Sequence, residues 1–451
     1  MKIRQTKNSL FSDFFHRYNP TICSLLLLLG ALAIVPYGDF VRVEAVPMFL
    51  LGIAVMSLGF VLSWMSPSIT GIWFWVTTIL TRLILVPMYP GNDIWRYLWE
   101  GYLQNRGFSP YHFPPNATEL VHLRPEWWPL INHPDVSAIY PPIAQFGFRA
   151  LAAIHLNVVV FKLAFILADV LICWLLTRKY SYKKVTLYAW NPLVIYSFAG
   201  GAHYDSWFIL PLVAAWVLFE NKIEDRNQKQ INTPFLDRPE KPSDYWVVIA
   251  LLIGISVAVK WMSLPILGFV VWQAFRKVNL KQAIVVLICG LLPFVISAIP
   301  FCDLETCPLI PTSSGFVSHH RSAEFLPYLL GLFWQKSRET NSFYAYPLVF
   351  VFILLLWRAK SFQYFVENYF LALLTLSPIV HAWYFTWVIP FAVVTQNLGV
   401  RLISISTFVY FMLLYRYALG DSSWSLTDGE RIWLWLPFLL GWLWTITRKK
   451  V

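Results

Sequence analysis

Apolar residues in this chain come in long unbroken runs, and the polar residues are gathered between them. Runs at 24–36, 47–65, 71–88, 158–176 and 282–300 approach the ~20 residues a helix needs to cross a bilayer's hydrocarbon core. Further apolar stretches lie at 185–198, 207–219, 246–259, 262–275, 346–357 and 369–380, with three more towards the C-terminus. Together they predict about 13 or 14 crossings, several of them short for a full span. The stretch at 141–155 is apolar but short, and counting it as a crossing would break the alternation described below. It reads as a re-entrant or interfacial helix. No fixed-period repeat and no inverted-repeat symmetry is visible. The pattern predicts an all-α polytopic membrane protein.

Composition agrees. Over the 451 residues, 58% are hydrophobic and 13% charged, about half the ~25% charge of an ordinary soluble domain. A water-facing exterior cannot be built from so few charges. Soluble enzyme, disordered chain and secreted disulfide framework are excluded. Cys23, Cys173 and Cys289 lie in apolar runs, where a thiol behaves as a small hydrophobe. Cys302 and Cys307 share one polar loop and are placed to pair if it faces an oxidising compartment.

The net charge of +11 arises from short basic clusters between the apolar runs: Lys2, Arg4, Lys7 and Arg17; Arg178, Lys179, Lys183 and Lys184; Arg276, Lys277 and Lys281; Arg448, Lys449 and Lys450. That is the positive-inside distribution, not the continuous stripe that tracks a nucleic acid. No nucleic-acid partner is expected. With the clusters held inside, both termini are cytoplasmic, 91–140 forms a long outer loop and 220–244 a cytoplasmic linker. The unusual polar residues then gather outside: Asn92, Asp93 and Arg96; His203 and Asp205; Lys260; His319, His320, Arg321 and Glu324; His381 and Tyr384. Any one of them at a span end has a bland reading as a cap or snorkelling group. Their convergence on one face points to a site, and one supplied by lipid-linked substrates.

Asp93 stands out. In Gly91-Asn92-Asp93-Ile94-Trp95-Arg96-Tyr97-Leu98-Trp99-Glu100-Gly101, helical spacing puts Asp93, Arg96, Tyr97 and Glu100 on one face. A helix cap explains Asp93 equally well on spacing alone. Downstream, Ser109-Pro110-Tyr111, Pro114-Pro115, Asn132-His133-Pro134-Asp135 and Tyr140-Pro141-Pro142 make a stiff loop, far longer than a connection requires.

The 91–101 segment, Ser109-Pro110-Tyr111 and Tyr140-Pro141-Pro142-Ile143-Ala144-Gln145 resemble GT-C glycosyltransferases. The nearest likeness is to bacterial polyprenol-phosphate-mannose mannosyltransferases and their glycosyltransferase family 87 relatives. Gly200-Gly201-Ala202-His203-Tyr204-Asp205, Val259-Lys260-Trp261 and Ser377-Pro378-Ile379-Val380-His381-Ala382-Trp383-Tyr384 fit the same pattern. The likeness runs from about Gly71 to the C-terminus. It implies a GT-C-type bundle whose long first extracytoplasmic loop carries an essential acidic residue, here Asp93. Residues 1–70 then read as additional membrane helices before a catalytic domain at 71–451. Many relatives carry two acidic residues where this chain has Asn92-Asp93, which argues against an acidic-pair metal site. Neither a metal nor another cofactor is expected.

The resemblance implies transfer of a hexose, with mannose first, from a polyprenyl-phosphate sugar to a lipid-linked or glycan acceptor at the outer face of a bacterial plasma membrane. Membrane lipids would surround it. Such a donor carries a good leaving group, so one base and a clamp suffice. Asp93 is the expected base. Arg96, His203, Asp205, Lys260, His319, His320, Arg321, His381 and Tyr384 are the candidates for binding the donor's phosphate or sugar. Backside attack implies inversion. Zinc at His319-His320 is disfavoured, because adjacent side chains point apart and no His-x-x-x-His or Cys-x-x-Cys accompanies them.

Two other classes compete. A secondary transporter would place ionisable groups near the midplane, where Lys162 and Asp169 are the main candidates. A lipid-glycan polymerase or ligase would share the outer face but lack an early aspartate after a span. The charge pattern predicts that cysteines introduced beside Asp93, His203, Lys260, His320 and His381 react with impermeant reagents from outside only. Labelling near Trp127 from the cytoplasm would overturn this topology.

Overall fold

The computed structural model describes residues 19–232, 244–302, 307–309 and 318–448. The basic cluster Lys2, Arg4, Lys7 and Arg17 lies outside the described residues. So do Pro234, Pro239 and Pro242 of the expected linker, Lys449 and Lys450, and parts of the 301–325 loop.

Every regular element among the described residues is helical. The first half comprises α1 (Asn19–Tyr37), α2 (Ala45–Met65), α3 (Gly71–Leu85), α4 (Asp93–Asn105), α5 (Pro142–Ile154) and α6 (Val158–Thr177). There follow α7 (Tyr182–Ala189), α8 (Pro192–Ile195), α9 (Ser206–Asn232), α10 (Asp244–Val259), α11 (Leu264–Lys277) and α12 (Leu280–Ala298). Longer helices at Ala345–Arg358, Phe362–Leu376 and Asp428–Arg448 lie in the C-terminal part. Six segments are long and apolar enough to cross a bilayer: α1, α2, α6, Leu280–Phe301, Asn341–Arg358 and Leu398–Ala418. Three apolar helices, α3, α5 and α10, are shorter. The 13 residues of α5 reach about 20 Å, short of the ~30 Å core. The protein is an all-α membrane protein, and lipid-facing stripes such as Leu25, Leu29 and Leu32 on α1 stand exposed opposite buried Cys23, Leu27 and Ala31.

The chain divides into two compact units. One contains 1–91, 176–202 and 381–451. Within it α1 and α2 cross at glycines: a methyl on Gly30 would strike Gly52 O and Met56, and one on Gly59 would strike Cys23 O. Small residues permit this approach where lipid removes the hydrophobic drive between helices. The 185–198 stretch, expected as one crossing, is instead broken. Asn191 ends α7 and caps α8, accepting from Leu193 N at 3.0 Å and donating to Leu187 O at 3.0 Å and Ser404 Oγ at 2.9 Å. Pro192 removes the amide that would continue the helix. A π turn follows at Tyr196–Gly200. Residues 185–206 are all buried, which is where broken backbone survives in a membrane protein.

The other unit contains 92–175 and 203–380. Here α9 runs on to Asn232, so the first half of the expected cytoplasmic loop is helical. Glu, Lys, Arg and Gln dominate 220–230 with no proline before Pro234, and such residues sustain helix. The expected outer loop is half helix: α4, then two packed clusters. Trp99, Leu103, Leu120 and Ile131 are buried with Trp95, Trp127 and Trp128 around them. Tyr111 and Ala138 pack with Ala298, Phe301 and Leu309, beside the disulfide that joins Cys302 and Cys307. Backbone bonds Ala138 N to Pro110 O (2.9 Å) and Asn116 N to Pro134 O (2.9 Å) close the loop on itself.

α4 lies directly on α5, and Gly101 makes this possible: a methyl there would collide with the Phe148 carbonyl and touch the Ala152 side chain. Because backbone must give way, Gly101→Ala is expected to destabilise the protein by about 1–3 kcal/mol. Thermal unfolding of the purified protein checks this, and an unchanged midpoint would mean that the two helices separate freely.

Candidate functional site

The second unit assembles five of the ten candidate residues, Asp93, Arg96, His203, Asp205 and Lys260, around the start of α4. Asn92 occupies the cap position but its side chain makes no capping bond, and Asp93 is the first helical residue. The Asp93 carboxylate is bound side chain to side chain. Oδ1 accepts from Asn132 Nδ2 at 2.7 Å, and Oδ2 stands 3.6 Å from His203 Nδ1. Its side chain is 23% exposed, that of His203 only 5%. The carboxylate is thus in contact with both an amide and an imidazole and still partly open.

The loop that brings Asn132 is held by Arg96, one helical turn along α4. Its guanidinium bonds Glu100 Oε1 at 2.8 Å, His133 O at 2.8 Å, Asn132 O at 3.3 Å, and Val136 O. Arg96 and Glu100 are both buried. Gln145 of α5 donates to Glu100 Oε2 at 2.5 Å, and Gln104 donates to Gln145 Oε1 at 2.9 Å. Burial raises the Glu100 pKa above the ordinary carboxylate value, and Arg96 opposes that rise. The expected donor-binding Arg96 is thus turned inward as a strut of the loop.

Next to the Asp93–His203 contact sits an ion pair. Lys260, at the end of α10, donates to Asp205 Oδ1 at 2.5 Å. Its ammonium also lies 5.2 Å from the Tyr204 ring centroid and 5.7 Å from that of Phe208. The Tyr97, Tyr140 and Tyr204 rings meet edge to face, with centroids 5.2 to 5.3 Å apart. Burial drives the Tyr97 phenol well above its ordinary pKa, and Tyr140, Asp93, Tyr204 and Asp205 push it the same way. It remains a neutral donor at physiological pH. These tyrosines lie within the motifs of the sequence, Tyr97 on the face of Asp93 itself, but neither they nor Asn132 were among its candidate binding residues. Asn132 was visible only as part of the Asn-His-Pro-Asp run.

Left-handed backbone adjoins both partners of Asp93 along the chain. His133 has φ +45° and Ala202 has φ +59°, a left-handed region that residues with a Cβ rarely adopt. One follows Asn132 and the other precedes His203. Gly91 N–H donates to Gly201 O at 3.1 Å, and each glycine stands two residues ahead of one member of the Asp93–His203 pair.

The other candidates are placed differently. His319 is exposed and His320 half-buried. Burial, and then the charge on His133, lower the His320 pKa, so it is neutral near pH 7. Arg321 donates to Ser337 O at 2.6 Å and lies over the Tyr344 ring. His381 and Tyr384 belong to the first unit. There His381 bonds the Tyr410 hydroxyl at 2.7 Å and stacks on Trp383, with Tyr384 against its edge. Among the described residues no group of three or more His, Cys, Asp or Glu side chains is gathered to hold a metal ion.

The Arg96 strut makes a test. Arg96→Met strands a buried carboxylate at Glu100 and is expected to cost about 3–5 kcal/mol. Arg96→Met combined with Glu100→Leu should recover most of that stability in thermal unfolding but not the activity, because the 132–136 carbonyls still lack their donor. Full activity in the double variant would show that the loop needs no strut.

A comparison of the whole chain with curated proteins yields no match. A family model described as alpha-(1->6)-mannopyranosyltransferase, N-terminal domain, matches residues 20–276. The match takes in α1 and α2 as well as Asp93, Asn132, His203, Asp205 and Lys260, and it covers more than half of the chain. Membership sets aside the transporter and polymerase alternatives. The chain belongs to the alpha-(1->6)-mannopyranosyltransferase family and is a membrane mannosyltransferase.

Proposed function

We propose that this mannosyltransferase takes mannose from a polyprenyl-phosphate donor and passes it to a hydroxyl of a lipid-linked or glycan acceptor, with Asp93 as general base. The observation that carries the reading is the Asp93 carboxylate, partly exposed at the head of α4 and bound by Asn132 and His203. In the reaction the acceptor oxygen attacks the anomeric carbon while its proton passes to Asp93. The bond from that carbon to the phosphate oxygen breaks, and the electron pair leaves with the polyprenyl phosphate. Only one carboxylate is needed, since phosphate departs without protonation by an acid. Lys260, held by Asp205 and still 16% exposed in its side chain, is suited to offset the charge that grows on the leaving phosphate. We assign His203 to the same donor. His319, His320, Arg321, His381 and Tyr384 are assigned to substrate binding on their sequence motifs alone.

The family's linkage is alpha. Backside attack inverts the sugar carbon, so an α-linked product calls for a β-linked donor. An extracytoplasmic site is supported by the basic clusters of the sequence and by the Cys302–Cys307 disulfide, a bond favoured in oxidising compartments. Within residues 1–70, α1 and α2 are then additional membrane helices preceding the catalytic loop.

Purified protein incubated with β-polyprenyl-phosphate mannose and membrane extract should yield an α-mannosylated product detectable by mass spectrometry. The α-anomer, and glucose or arabinose donors, should give none. Asp93→Asn keeps size and most hydrogen bonding but cannot take the proton, so turnover should fall about 10²- to 10⁴-fold while donor binding persists. A well-folded Asp93→Asn protein at near-normal rate would move the base elsewhere, to Asp205 first.

A further inference from the structure

We propose that Asn132 is a positioning residue for the transfer: its side-chain amide sets the orientation of the Asp93 carboxylate, and Arg96 in turn sets Asn132. The inference rests on the assignment of Asp93 as the base. Three observations on independent atoms support it. The Asn132 amide meets Asp93 Oδ1 at 2.7 Å across 39 residues of chain. The main-chain carbonyls of Asn132, His133 and Val136 all accept from one buried guanidinium. His133, immediately after Asn132, is held at φ +45°, a conformation that persists only where its surroundings impose it.

Each of these has a mechanical meaning. A carboxylate on a single-turn lever at a helix start rotates about two side-chain torsions, and a general base must present its lone pair along one line. An amide donating to one oxygen removes the rotation about the second torsion. The donor is useful only if its own backbone is immobile, and the Arg96 fork supplies three carbonyl anchors over five residues. The guanidinium is anchored in its turn by Glu100, and Glu100 by Gln145 of α5. The chain of contacts therefore runs from α5 through α4 and the loop back to the first residue of α4. Nothing in it requires Asn132 to touch the donor.

A positioning role and a merely structural one differ in what they do to kinetic constants. Asn132 is half-buried in a loop, so truncation leaves little cavity. Asn132→Ala and the near-isosteric Asn132→Leu are each measured with β-polyprenyl-phosphate mannose beside Asp93→Asn and Asn132→Gln. The expected result is a kcat lower by about 10- to 100-fold in the Ala and Leu variants with the donor KM within about twofold. Asn132→Gln, which retains an amide, should turn over faster than either. If Ala and Leu keep the normal kcat while Asp93→Asn is inactive, the positioning role is overturned and the base assignment stands. If Asp93→Asn is itself active, the base assignment fails and this inference with it. If both variants fail to fold, or KM rises in step with the fall in kcat, Asn132 serves the loop's structure and the proposal is likewise overturned.

Discussion

A guanidinium taken out of water must be given acceptors, and in this protein the acceptors found for Arg96 decide the shape of the site. Its carboxylate partner Glu100 lies one turn along the same helix, and the carbonyls of Asn132, His133 and Val136 complete the set. A buried ion pair contributes little net stability, because desolvation offsets most of the attraction. Its effect here is specificity. The loop between α4 and α5 has few ways to pass the fork that satisfy three donors at once, and the one it takes delivers Asn132 to Asp93. The Glu100–Gln145–Gln104 contacts and the close approach at Gly101 then tie this arrangement to the underlying pair of helices.

Irregular backbone is concentrated in the stretch of chain that leads to His203. The helix broken at Asn191-Pro192 passes into a π turn, then into the left-handed Ala202, and the next residue is His203. A π turn widens the helix and leaves carbonyls to be satisfied elsewhere, and such turns recur at functional sites. In a bilayer the arrangement is tolerated only inside protein, and every residue from 185 to 206 is buried. A backbone bond from Gly91 N–H to Gly201 O ties the two segments that lead to Asp93 and His203.

Around Asp93 the polar groups meet in pairs rather than forming a cationic patch. Lys260 is matched by Asp205, and the His203 ring contacts Asp93, while three tyrosine rings lie edge to face among them. Aromatic edges carry the positive end of the ring quadrupole and faces the negative end, so the Tyr204 face also favours the Lys260 ammonium. Lys260 and Asp205 thus hold a cation and a carboxylate close together, with little of either side chain open to solvent.

The sequence by itself determined that the chain is an all-α membrane protein, because long apolar runs with few charges have no other folded solution. It also singled out 91–101 and the His203–Asp205 and Lys260 motifs, since polar residues that are cheap one by one at span ends became conspicuous by converging on one face. Their grouping, and the roles of their neighbours, were decided only by tertiary structure. Arg96 reads in sequence as a candidate phosphate ligand and is in fact committed to three carbonyls, none of which leaves a mark on side-chain pattern. Asn132 lies 39 positions from Asp93, and no local period links them. The break at 185–198 was hidden because hydropathy scores a buried irregular segment and a crossing helix alike. What a residue is could be read along the chain; which atoms it meets depended on backbone hydrogen bonds between distant segments, and these are formed only when the chain closes on itself.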